Sequence, residues 1–336
     1  MDQQKPDASH RLSRCAGLVF GFLFHAGRTV PAHEDTLAEA LEQDHDWVWL
    51  NLSLSDHRAR RFLESLPACP DEARSLLTGS ETRIQIHLTP DGAHGVLPGL
   101  QKDFNDHTLG AGRLAFWLDG TVLLTARRHP LEGVEAMRDA VLAGLAPASP
   151  AEALVRLAEA HQEAAEARLM ALGADLDDME DAVLAEHASL NRLALGPLRR
   201  ELSRHHREFA SLRSALQRAI AGRAGVAGGP LHAHLPQLLQ DAEDFDRDAA
   251  ALLDRARLLY EEVGARISET TNRSLSTLTV ISTLLLPPTF VAGAFGMNVD
   301  GLPWAHDRDG FLLVLLLCLL LVGVSYVVLR RFRILP

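Results

Sequence analysis

A chain of 336 residues with 47% apolar content and a formal net charge of −11 has room for a soluble domain and an attached second unit. The acidic balance argues against nucleic-acid binding, which needs a basic surface, and no phosphate loop or nucleophile elbow points to an enzyme, so no catalytic residue is assigned. Three cysteines, Cys15, Cys69 and Cys318, are far apart and odd in number, which speaks against a disulfide frame or a thiolate zinc cage.

Residues 1–14 are polar and precede only a short apolar run, so no secretory signal is expected. Segments 17–26 and 46–52 combine β-branched and aromatic residues in alternation and predict strands, with a short helix over 34–42 between them. Further strands are predicted at 82–88, 93–97, 114–118 and 122–126. The last two meet at Asp119-Gly120, a strong hairpin signal. Helical patterns at 57–66, 71–77 and 131–145 complete an α/β cytoplasmic domain over residues 1–147.

After Pro147 the character changes to long, charged, alanine-rich helix. Residues 151–190 and 198–221 predict a helical pair broken at Gly196-Pro197, which with the glycine-rich turn 222–230 makes a cytoplasmic hairpin over 148–235. A seam then begins near Gln237 and shows no strong stop before Gly296: Leu238, Ala242, Phe245, Ala249, Leu252, Ala256, Leu259, Val263 and Ile267 recur. A continuous helix of this kind would be roughly 90 Å long. Its cytoplasmic part, 236–273, is the stalk. The carboxylates beside the seam, Asp244 and Asp248 among them, are either a solvated face paired with nearby arginines or a regulatory site for cytosolic divalent ions. His205-His206 and His232-x-His234 predict solvated surface.

No charged side chain occurs from 274 to 299, roughly the length that crosses a bilayer as a helix. The span, 274–296, is not greasy all round. Asn272, Leu275, Thr279, Ser282, Leu286 and Thr289 fall on one helical face, and several copies around an axis would turn it into a narrow, weakly polar tube. Leu275 and Leu286 are candidates for dewetting rings. Pro287 and Pro288 remove amide protons and kink the span. Gly296 suits the left-handed position that ends a helix.

The loop 297–309 carries Asp300, Asp307 and Asp309, which would concentrate cations. His306 is an exposed loop residue or a transient metal ligand. A second uncharged run, 310–329, has few polar atoms and reads as a lipid-facing helix, followed by a tail, 330–336. Arg266 and Arg273 before the first span and Arg330, Arg331 and Arg333 after the second put both termini in the cytoplasm.

Gly296-Met297-Asn298, at the outer end of the first of two C-terminal spans, closely resembles the signature of the CorA-type divalent metal ion transporter superfamily. The resemblance implies a CorA-like fold: an α/β cytoplasmic domain, long stalk helices and a C-terminal two-helix transmembrane hairpin. It also implies a homopentamer in the bacterial inner membrane, with Gly296, Met297 and Asn298 at the pore mouth, Asn272 at the cytoplasmic end and Thr289 lining the pore. Phe295 stands where magnesium members commonly carry tyrosine, and 299–304 replaces their acidic loop element. These departures resemble the zinc transporter ZntB branch and imply transported Zn2+ without any cofactor. Magnesium, cobalt or nickel transport is the alternative within the superfamily, and a membrane-anchored scaffold or sensor the alternative outside it. Direction and proton coupling stay open.

Overall fold

The computed structural model describes residues 12, 15–66, 68–79, 83–102, 108–184, 192–222, 231–297, 303 and 309–331. They fall into two compact units, Met1–Leu258 and Leu259–Pro336.

The first unit is built on a seven-stranded mixed sheet. Its strands are β1 (Leu18–His25), β2 (Arg28–Ala32), β3 (Trp47–Ser53), β4 (Gln85–Thr89), β5 (Gly92–Lys102), β6 (Thr108–Leu118) and β7 (Val122–Arg127). Their order is β2-β1-β3-β7-β6-β5-β4, with β3 and β7 parallel and every other neighbouring pair antiparallel. Alternation sorts the side chains into two cores, because successive residues of a strand point to opposite faces. Phe20, Phe22, Phe24, Trp47 and Trp49 enter one core, and Leu23, Val48 and Leu50 the other. Phe24 stacks on its cross-strand partner Trp47, with ring centroids 4.0 Å apart, and Trp49 takes Phe20 edge-on.

Helices cover both faces. The short helices α1 (Leu37–Leu41), α2 (His57–Glu64) and α3 (Asp71–Thr78) close the second core. Helices α4 (Glu132–Leu142), α5 (Pro150–Leu184), α6 (Arg192–Ala221) and the start of α7 (Leu235–Phe295) close the first. The helices that follow Pro147 therefore share a core with the sheet.

Three local expectations change. Strand β2 lies where no strand is predicted, because its turn uses Ala26 at φ 46° beside Gly27 at φ 75°, and alanine gives no sign of a left-handed position. Strands β5 and β6 run well beyond 93–97 and 114–118, through Pro98, Gly99 and Gly112. A Cβ at Gly112 would sit 2.3 Å from the Leu131 side chain, so the glycine makes room for a core leucine. Finally, Gly196-Pro197 does not break the second helix. Helix α6 begins at Arg192 with Pro197 inside it, and gives up the one i→i−4 bond that the proline cannot donate.

The second unit holds the remainder of α7 and α8 (Gly310–Arg331). The α7 seam is real as far as Val263: Leu238, Ala242, Ala249, Ala256, Leu259 and Val263 are buried, and Phe245 and Leu252 half-buried. Ile267, expected to continue it, is 48% exposed.

Candidate ion-conduction site

Among the described residues two helices are long and apolar enough to cross a membrane, α7 and α8. The helix α7 continues through Pro287 and Pro288 to Phe295. The carbonyls of Thr283 and Leu284 thereby lose the amide donors four residues ahead. The hydroxyls of Thr283 and Thr289 do not serve those carbonyls. They donate instead to Thr279 O at 2.8 Å and Leu285 O at 2.7 Å.

The same backward bond recurs on the face of Asn272 at Thr279, to Leu275 O at 2.8 Å, whereas Thr277, which bonds Arg273 O at 3.0 Å, lies on the opposite side of the helix. Each hydroxyl has one proton and two lone pairs. With the proton committed to the backbone, the oxygen presents acceptor character outward. A helix face built this way favours cations and the hydrogens of their water shells.

That face is set apart from the second span. On α7 the partly covered residues are Val280, Leu284, Pro287, Pro288, Val291, Ala294 and Phe295. On α8 the matching stripe is Val314, Leu317, Cys318, Leu321, Val322 and Ser325, recurring by three and four. Cys318 Sγ reaches Pro288 O at 3.8 Å across the two spans. At about 100° per residue, the covered stripe of α7 lies roughly 150° from the face of Asn272, Leu275, Thr279, Ser282, Leu286 and Thr289. All six of these are exposed in the single chain.

At the end of α7, Gly296 departs from expectation. Its φ lies outside the left-handed region, and its N–H donates to Ala292 O at 2.9 Å. Met297 follows, 58% exposed. Asn298, Asp300, His306 and Asp307 lie outside the described residues. Asp309 is exposed just before α8, and its carbonyl accepts from Leu313 N. Before the span, Arg266 pairs with Glu262 and Arg273 with Glu269, one helical turn apart.

Of the regulatory candidates, Asp244 is paired with Arg247 and Asp248 is exposed. Among the described residues no three histidines, cysteines or carboxylates converge as a metal cluster. The expectation of solvated histidines fails at 205, whereas the side chain of His206 is 37% exposed. His205 is 3% exposed, and His206 Nδ1 lies 3.0 Å from the buried Asp246, off the line of a hydrogen bond. Asp246 also receives Arg213 at 2.7 Å. Sequence spacing hid this group because its members come from two helices. Cys318 was missed as well, and its only signal was a polarizable sulfur within an otherwise hydrocarbon run.

An α/β domain followed by a long helix and two C-terminal candidate spans is the architecture expected of the superfamily whose signature Gly-Met-Asn resembles. The CorA-like Mg2+ transporter protein family matches residues 44–331, and the chain belongs to it. It is 26% identical over 337 residues to the divalent cation transporter CmaX of Pseudomonas aeruginosa, covering 94% of this chain and 96% of that one. It is 21% identical to the zinc transport protein ZntB of Yersinia enterocolitica, covering 83% and 85%. The solved structure of full-length CmaX superposes with a TM-score of 0.77 at 23% identity, over 94% of this chain and 98% of that one. The protein is thus a divalent cation transporter of the CorA superfamily, not an enzyme.

Proposed function

We propose that the chain moves zinc across the bacterial inner membrane as a homopentamer. Segment 274–296 of each copy faces the axis, 310–329 lies outside it, and both termini are cytoplasmic. The observation that carries this reading is the face of α7 turned away from α8, where the hydroxyls of Thr279 and Thr289 donate to their own backbone and leave oxygen lone pairs outward. Asn298 at the mouth holds a hydrated cation through its waters, which keeps binding weak enough for exit. Asp300, Asp307 and Asp309 raise the local cation concentration there. Asp244 and Asp248, at contacts between copies, are the candidates for sensing cytosolic metal.

The similarity to ZntB supports zinc, whereas the family's description supports magnesium as the second reading. Purified protein in liposomes loaded with zinc-, magnesium- and proton-sensitive dyes separates them. Zinc entry by the parent, and its loss in Asn298→Ala with assembly intact, is the expected result. Magnesium entry without zinc would move the assignment to the alternative, and no ion movement would leave an anchored scaffold. Zinc flux at the parental rate in Asn298→Ala would remove Asn298 from the pore.

A further inference from the structure

A cavity of about 180 Å3 opens in the first unit at the carboxyl ends of β3 and β7, the one parallel pair of the described sheet. Open α/β sheets bind ligands outside the carboxyl ends of parallel strands, where side chains from several loops converge. Here the two strand ends are tied together: Leu54 N donates to Arg127 O at 2.8 Å, and Ser55 Oγ to Arg128 O at 2.8 Å.

The walls have two chemistries. Leu54, Leu76, Val96 and Leu131 supply apolar surface. The polar lining is Arg113, Arg128, His129 and Gln101, with no carboxylate among the described lining residues. Both guanidiniums are anchored. Arg113 is held from behind by Glu208 Oε1 at 3.0 Å and donates to Gly112 O, and Arg128 donates to Gly79 O at 3.3 Å. Arg128 and His129 are exposed, which places them at the mouth, while Arg113 is half-buried.

Size narrows the ligand. A volume of about 180 Å3 equals roughly six water molecules at their liquid packing. It falls below the ~300 Å3 at which pockets begin to take drug-sized molecules, which favours a small ligand. We propose that this cavity binds a small phosphate monoester, with the phosphate between Arg128, His129 and Arg113 and a compact apolar body against Leu76 and Leu131. Guanidinium forks pair with phosphate oxygens as they do with carboxylate oxygens, and with cationic groups on two sides the more highly charged phosphate is favoured.

The test is calorimetric titration of the full-length protein in detergent with phenyl phosphate, and with benzoate and benzyl alcohol as comparators. Saturable binding of phenyl phosphate is expected, weakened about tenfold or more in Arg128→Gln/His129→Gln, since each charge-assisted bond contributes strongly. Both residues are exposed, so the double variant should melt with the parent. Leu76→Trp, which fills the cavity and leaves every charge in place, should also abolish binding. Failure to saturate, equal affinity in the double variant, or equal affinity for benzyl alcohol would overturn the site. Benzoate binding as tightly as phenyl phosphate would overturn the phosphate assignment.

Discussion

Cys318 Sγ in the second span lies 3.8 Å from the Pro288 carbonyl oxygen in the first, which fixes the two helices against each other at the proline turn. A larger side chain there must push the spans apart. Cys318→Leu should destabilise the hairpin by about 1–3 kcal/mol through overpacking, read as a lower melting temperature in detergent. Cys318→Ser keeps a donor of similar size and should melt close to the parent. Equal melting of both variants would show that the contact is incidental.

Gly296 is not held by a left-handed backbone, and a Cβ there would meet only its own helix carbonyls at 3.3 and 3.4 Å. Gly296→Ala should therefore assemble normally and change stability by less than about 1 kcal/mol. If the mouth reading is right, zinc flux in liposomes falls nonetheless, because each copy adds a methyl at the entrance. Unaltered flux would place the constriction elsewhere.

Asp246 is 5% exposed and faces Arg213 and His206 from the neighbouring helix. Asp246→Ala leaves the Arg213 cation without its buried partner. Since Arg213 is itself 39% exposed, solvent recovers part of the loss, and about 1–3 kcal/mol is expected. Asp246→Asn, which keeps an acceptor, should lose less. Denaturant titration of the two variants decides it.

His161 carries a pH prediction. Burial, then repulsion from His205 and Arg113, pushes its pKa down to about 4 from the model-compound value of 6.5. The unfolded chain then binds more protons between those values, so stability is full above about pH 6.5 and is lost as pH falls toward 4. The loss is on the order of 3 kcal/mol if His161 acts alone. His94 and His205, also lowered by burial, act in the same direction. Glu208 has the opposite sign, because burial raises its pKa and its contribution fades as pH rises. Melting temperature against pH should slope downward on acidification, and His161→Leu should flatten the slope.

Gly95 offers a backbone test of the sheet. A Cβ there would approach the Gln85 carbonyl oxygen to 2.2 Å, a contact that rigid β4 backbone cannot relieve. Gly95→Ala should express as aggregate or melt far below the parent. Gly120→Ala, where a Cβ meets nothing within 4 Å, should not.

Much of this molecule was legible in its order of residues. Short runs of β-branched and aromatic residues named β1 and β3, and Asp119-Gly120 named the β6–β7 hairpin, because such residues fit a pleated, buried sheet and the Asp-Gly pair fits a tight turn. Two charge-free runs identified the spans, since hydrocarbon tolerates few other compositions. The Gly-Met-Asn signature between them pointed to the superfamily that the family match over residues 44–331 then established. What the chain could not announce depended on neighbours distant in sequence. The alanine turn before β2, the room Leu131 takes over Gly112, the burial of His205 and the arginine-lined cavity all arise from elements brought together by folding. The side of α7 that meets α8 was likewise decided only by packing. Periodicity defines a face, and a second helix must be present to show which face remains open.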